Sequence, residues 1–516
     1  MGFHYLVRTA ASIVIALLTC ILVNVLRQQL PRRRTEPPLV FHWVPFVGSA
    51  LAYGTDPLSF YRRCRARHGD VFTFVLLGRR LTVCLGPDGN ELVLNGSARD
   101  VNAEDVYGPL TTPVFGRDVI YDCPNAKLME QKRFVKFGLT RRALEAHVPL
   151  IEGETLAYLD ANFEGAAGRV NVSKAMSEIT LFTAGRALQG AEVRRKLTAS
   201  FAGLYHDLDM GFRPVNFLVP WAPLPWNRRR DAAHQKMQSV YMEMINERRG
   251  NGNTKGAGNE DEELDMIANF MRCNYKDGQA LPDKEIANLM ITLLMGGQHS
   301  SSSTSAWIIH RLASQPAIAE ELYQEQLHNL GPNHASPLQL SDLENLPLLS
   351  NVIKETLRVH SSIHTLMRKV KRPIPVPGTA YVIAPGAILV SSPIMSHMSP
   401  AHFPRPETWD PHRWDDGSGG RLDADEDEGE VVDYGYGATR TGTRSPYLPF
   451  GAGRHRCIGE KFAYLNLAAI VLTMVRRLKL GTLDGSAAVP PTDYTSLFSR
   501  PVASAEILWE RRAPGS

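Results

Sequence analysis

Three spacings of apolar residues recur along the chain. The first is an uncharged run from Thr9 to Leu26, about 18 residues and so long enough to cross a bilayer as a helix. The second is a pair of β-branched and aromatic stretches, Val71 to Leu77 and Leu81 to Leu85. Gly78-Arg79-Arg80 joins them, which predicts a hairpin. The third and commonest is a helical repeat broken by Pro and Gly. Its fullest example is Asp283 to Gln315, where Ile286, Leu289, Met290, Leu293 and Leu294 share a face continued by Trp307, Ile308, Ile309 and Leu312. Asp283 can cap this helix, and Pro316 lies just past its end.

The middle of that helix is weak. Gly296 and Gly297 each cost about 1 kcal/mol relative to alanine. Ser300 to Thr304 carry hydroxyls that compete for helix carbonyls. Either the helix is distorted there, or another helix packs closely on the small residues. A further apolar helical pattern, Phe462, Leu465, Leu467, Ala469, Ile470 and Leu472, follows a glycine-rich stretch. The pattern as a whole predicts a mainly α body with small β-sheets, preceded by one N-terminal transmembrane helix.

Composition changes this picture little. At 516 residues and 44% hydrophobic, the chain can bury a large core. A net charge of +4 without a polybasic tail gives no reason to expect nucleic acid. Six cysteines without paired spacing suit a reducing compartment better than a disulfide framework. Arg27, Arg32, Arg33 and Arg34 follow the apolar run and Arg8 precedes it, so the positive-inside bias leaves the body in the cytosol. That favours a signal anchor over a cleaved signal peptide. Pro31, Pro37, Pro38 and Pro45 then form a stiff linker, while Phe41, Trp43 and Phe46 serve either as interfacial anchors or as core. The chain is thus divided into an anchor and proline hinge, 1–36, and a body, 37–516. Asn251 to Glu263 and the acidic Asp423 to Glu430 read as surface loops without chemistry.

Candidate chemistry concentrates at Pro449 to Gly459, P-F-G-A-G-R-H-R-C-I-G. Gly451, Gly453 and Gly459 let backbone approach a flat ligand. Cys457, just before a helix, has its thiolate favoured by the helix N-terminus, and Arg454, His455 and Arg456 can meet anionic groups. A buried structural cysteine is the plain alternative. Zinc is disfavoured because no second Cys or His pair accompanies it.

The pattern F-x-x-G-x-H-x-C-x-G, carried by Phe450, Gly453, His455, Cys457 and Gly459, resembles the haem-binding loop of the cytochrome P-450 superfamily. The resemblance implies the cytochrome P-450 fold and makes Cys457 the axial thiolate of a haem b iron, with Phe450, Gly451, Gly453 and His455 around it. The string M-G-G-Q-H-S-S-S-S-T-S-A-W is similar to the oxygen groove of the sterol 14α-demethylases. That puts His299 and Ser300 in proton delivery, where most of the superfamily has an acid and a threonine. Asp209 in Y-H-D-L-D-M-G-F is then the partner of His299, with Asp207 as the fallback. The stretch Thr111 to Leu139 resembles forms from filamentous fungi, and the resemblance runs from about Pro37 to the C-terminus. It implies that Tyr107, Tyr121, Lys132 and Arg368 bind the haem propionates. The superfamily's usual tryptophan is absent, Leu128 standing in its place.

Glu355 and Arg358, one helical turn apart, with Arg413 in P-H-R-W, resemble the structural ionic cluster behind the haem. The implied substrate chamber is apolar, with Thr111, Phe115, Tyr121, Phe212, Pro214, Phe217, Gly296, Leu366, Met367, Leu497 and Phe498 as candidate walls. The implied activity is oxidative removal of the 14α-methyl group of lanosterol or eburicol as formate. It takes three O2-dependent turns, with electrons from NADPH through cytochrome P-450 reductase. An endoplasmic reticulum location and azole inhibitors follow from the same resemblance. Two other readings stand beside it: a related monooxygenase acting on another hydrophobic substrate, and a non-catalytic haem or sterol sensor.

Overall fold

The computed structural model describes residues 2–196, 199–250, 265–331, 336–415, 431–433, 438–440 and 442–512. The Asn251–Glu263 and Asp423–Glu430 segments lie outside the described residues. The chain forms two compact units, one of Met1–Val106, His364–Ser399 and Thr443–Leu448, the other of Tyr107–Ile363, Pro400–Gly442 and Pro449–Ser516.

The first unit begins with a helix, Gly2–Gln29, of which Arg8–Gln29 is apolar and long enough to cross a membrane and has no buried residue. Its end is tied to the proline segment. Asn24 donates to the carbonyls of His42 and Trp43 at 2.9 and 3.0 Å, and Gln28 exchanges hydrogen bonds with the His42 backbone at 2.8 and 3.1 Å. Phe41, Trp43 and Phe46 are exposed rather than in the core. A five-stranded sheet follows in the order Val71–Leu76, Arg79–Cys84, Ile388–Ser391, Leu366–Val370, Val101–Asn102, with one parallel pair, Arg79–Cys84 against Ile388–Ser391. The hairpin turn is Leu77-Gly78, not Gly78-Arg79-Arg80. Leu76 pairs with Arg79, and both turn residues have positive φ, 48° and 75°, as a two-residue turn of this hand requires.

The second unit is helical around Asp283–Ser314, an unbroken helix of 32 residues. Asp283 is its first residue rather than its cap; Pro282 holds the cap position and Asp283 pairs with Arg249. An acid in the first turn still suits the positive end of the helix. The two central glycines have different roles. A Cβ on Gly297 would meet Leu188 at 3.4 Å and Ala184 at 3.7 Å, so Gly297 lets the helix Val172–Gln189 pack close. Gly296 faces open space, with nothing within 4 Å of the place a Cβ would take. Helices Pro347–Val359 and Glu460–Arg477 complete the core, and strands Leu478–Gly481, Glu506–Arg511 and Ala167–Asn171 form a small antiparallel sheet.

Candidate functional site

Cys457 sits two residues before Gly459, which caps the helix Glu460–Arg477. Its amide donates to the Phe450 carbonyl at 3.0 Å and closes the loop. Gly451 and Gly453 have φ of 70° and 65°, which a side chain would strain, whereas Gly459 is in an ordinary conformation. Lys132 donates to the carbonyls of Arg454 and Arg456 at 2.8 and 3.2 Å, fastening the loop to the helix Asn125–Val135. Cys457 keeps exposed surface, while crowding by protein is the main influence on its thiol. Burial, seconded by Glu460, pushes the thiol above its usual range, against the Gly459 amide, Lys132 and Arg456. The protein alone therefore does not favour the thiolate, contrary to the expectation from the helix N-terminus. Coordination to a metal deprotonates a thiol outright.

Tyr107, Tyr121 and His455 line up as neighbouring rings, with centroids 5.3 and 5.9 Å apart. The approach of Tyr121 is strained, since Asp118 and the β-branched Ile120 have φ of 65° and 54°. Buried Gln131 holds that turn, donating to the Asp118 carbonyl at 2.8 Å and accepting from the Ile120 amide at 3.2 Å. Sequence reasoning missed Gln131, which carries no motif.

On the long helix, Ser300 donates back to the Gly296 carbonyl at 3.3 Å. His299 Nε2 lies 3.5 Å from Asp209, and Asp207 pairs instead with Arg229 at 3.9 Å. Burial lowers the His299 pKa, Asp209 opposes this, and Arg500 and His206 add to it. Phe498 stacks on the His299 ring at 5.4 Å and 16°, and Phe212 stands edge-on to Phe498 at 5.6 Å and 5.8 Å from Phe115. Thr111 is buried and back-bonded to the Tyr107 carbonyl at 2.9 Å, and Phe217 packs on the same apolar cluster. Leu366, Met367 and Arg368 belong to the first unit, on the strand Leu366–Val370. Arg368 is buried, gives Nη1 to its neighbour's carbonyl at 2.8 Å, and leaves Nε without a hydrogen-bond partner.

Glu355 and Arg358 form a fully buried two-point pair at 2.7 and 2.8 Å. Glu355 also accepts from the Asp410 amide at 3.0 Å, Trp414 Nε1 at 3.0 Å and Arg413 at 3.3 Å. Arg358 and Arg413 direct their remaining donors to carbonyls of residues 404–408.

Residues 37–509 match the cytochrome P450 family. The chain belongs to that family. Among relatives of this cytochrome P450, sterol 14-alpha demethylase CYP51A of Gibberella zeae is 62% identical over 99% of both chains. Sterol 14-alpha demethylase cyp51A of Aspergillus fumigatus is 60% identical over 98% of both, and eburicol 14-alpha-demethylase of Penicillium italicum 56% identical over 96% of both. A retinoic acid-bound cyanobacterial CYP120A1 shares the fold at 18% identity, with a TM-score of 0.76 over 93% of this chain and all of that one.

A cytochrome P450 is a haem-thiolate monooxygenase, and the residues present fit the group. Among the described residues no three His, Cys, Asp or Glu side chains converge to hold a metal by themselves. The left-handed Gly451 and Gly453 let the loop's backbone lie against a flat ring. The open face at Gly296 leaves room along the helix.

Proposed function

We propose that this chain is a sterol 14α-demethylase that oxidises the 14α-methyl group of lanosterol or eburicol and releases it as formate. The observation that carries the reading is identity of about 60% to sterol 14-alpha demethylases along nearly the whole chain, in a protein that keeps Cys457 in its glycine loop and pairs His299 with Asp209. When bound, the haem supplies O2 activation at an iron held by the Cys457 thiolate, whose electron density favours O–O cleavage.

The remaining work falls to the side chains. Phe450 and the two left-handed glycines present Cys457, while Lys132 keeps the loop seated on its helix. Tyr107 and Tyr121 offer donors to the propionates. Phe115, Phe212, Phe217 and Phe498 exclude water and orient the sterol, and position decides which carbon reacts. His299 holds or releases a proton at Nε2 toward Asp209, and Ser300 presents its hydroxyl beside Gly296.

Electrons come from NADPH through a cytochrome P-450 reductase, and azole nitrogens compete for the iron. The uncharged run Thr9 to Leu26 with Arg27 and Arg32 to Arg34 behind it supports a single-pass anchor in the endoplasmic reticulum membrane with the body in the cytosol. The test is product analysis with purified holoenzyme, reductase and NADPH on both sterols. Demethylated sterol and formate support the reading. Sterol binding without product points to a sensor, and no sterol binding to a monooxygenase with another substrate. Cys457→Ala should abolish the thiolate-type carbon monoxide spectrum of the reduced protein.

A further inference from the structure

Asp209 faces a histidine and an arginine. His299 Nε2 lies 3.5 Å from one carboxylate oxygen and Arg500 Nη1 lies 3.7 Å from the other. Both separations are longer than a normal hydrogen bond, and His299 Nε2 is buried without a hydrogen-bond partner. Arg500 is itself shared, because its Nε donates to Asp493 at 3.3 Å. Asp493 is the firmer end of this chain. It stands directly across the ladder from Arg500 and accepts the Thr495 amide at 2.8 Å. Burial would raise its pKa, but the Thr495 bonds and the charge of Arg500 outweigh that and lower it.

Between Asp493 and Arg500 the chain turns through Leu497, Phe498 and Ser499. Ser499 is pinned to the carbonyls of residues 361 and 362 by its amide and hydroxyl. Phe498, two residues before Arg500, stacks on the His299 ring and meets Phe212. One short hairpin therefore touches His299 twice, by an aromatic face and through Asp209. The side chains also grade outward, from 12% exposed at His299 through 17% at Asp209 to 39% at Arg500.

We propose that Arg500 is a positioning residue: shared between Asp209 and Asp493 at the base of the Phe498 hairpin, it ties occupancy of the apolar chamber to the pairing of Asp209 with His299. This rests on the proton-path reading of His299. A ligand that displaces Phe498 pulls Arg500 toward Asp493 and leaves Asp209 to protonated His299. With the chamber empty, Arg500 competes for Asp209 and disfavours the imidazolium. The groups facing His299 are Asp209, Arg500, His206 and Tyr205, with Asp493 behind Arg500.

The test uses purified holoenzyme with reductase, comparing wild type, R500Q, R500K, D493N and H299A. R500Q should move the acid midpoint of product formed per NADPH consumed upward by about half to one pH unit, because a cation near His299 is gone. Hydrogen exchange of residues 492–501, measured without turnover, should quicken about tenfold in R500Q. R500K should restore both. D493N, which leaves Arg500 to Asp209 alone, should move the midpoint downward. Lanosterol should slow exchange of 199–209 and 492–501 together in wild type but not in R500Q. A wild-type midpoint and wild-type exchange in R500Q would overturn the proposal, as would an upward shift in D493N. H299A with wild-type coupling sinks the underlying proton-path reading instead.

Discussion

The second unit holds two clusters in which one carboxylate meets two basic side chains, and they are built in opposite ways. At Glu355 the central pair is bound at 2.7 and 2.8 Å with no exposure on either partner, and backbone and indole donors fill the remaining oxygen positions. At Asp209 the contacts are 3.5 and 3.7 Å, the far cation is part-exposed, and a second carboxylate competes for it. A fully satisfied buried cluster has one arrangement, and any rearrangement leaves a charge unpaired at a cost of about 3–5 kcal/mol. A loosely satisfied one has several arrangements close in energy. The first cluster is satisfied in one arrangement, and the second leaves room for more than one.

Four measurements break or sharpen that contrast. Glu355→Ala should cost about 3–5 kcal/mol by orphaning two buried guanidinium groups, and should show as loss of soluble haem-loaded protein. His299→Ala should leave folding intact and lower coupled turnover about a hundredfold, read as NADPH consumed without demethylated sterol. If both variants simply failed to fold, the contrast would fall.

The third prediction concerns pH. Burial holds His310 at about 4, against 6.5 for the free side chain. The unfolded chain thus binds the proton first, and the full contribution of His310 is present above pH 6.5. Stability should drop by a few kcal/mol as pH falls from there toward 4. Denaturant melts at pH 7 and pH 5 check this, and His310→Gln should flatten the dependence. The smallest effect is Arg413→Lys, about 1 kcal/mol in the same melts, since the substitution keeps the charge but loses forked donation to the carbonyls of residues 404–408.

Much of the fold was legible because it is encoded locally. The apolar run, the hairpin, the long helix and the Cys457 loop each declare themselves within about thirty residues through period, glycine placement or charge asymmetry. The errors were local too. The hairpin register shifted because the turn needed two left-handed residues, and Asp283 fell one place inside its helix. The site was less legible. Lys132 turns to the Arg454 and Arg456 carbonyls, a contact across more than three hundred positions that no helix pattern announces. Gln131 and Arg500 have no motif at all.

By itself the sequence determined the helical body, the N-terminal apolar helix and the cysteine loop, since propensity, periodicity and backbone conformation act between near neighbours. Only the tertiary structure decided that Asp209 rather than Asp207 meets His299, that Gly297 packs while Gly296 lies open, and that Arg500 is shared. Those outcomes depend on which side chains are brought within a few ångströms from segments far apart in the chain. Charge and packing at such contacts fall too steeply with distance for order along the chain to specify them.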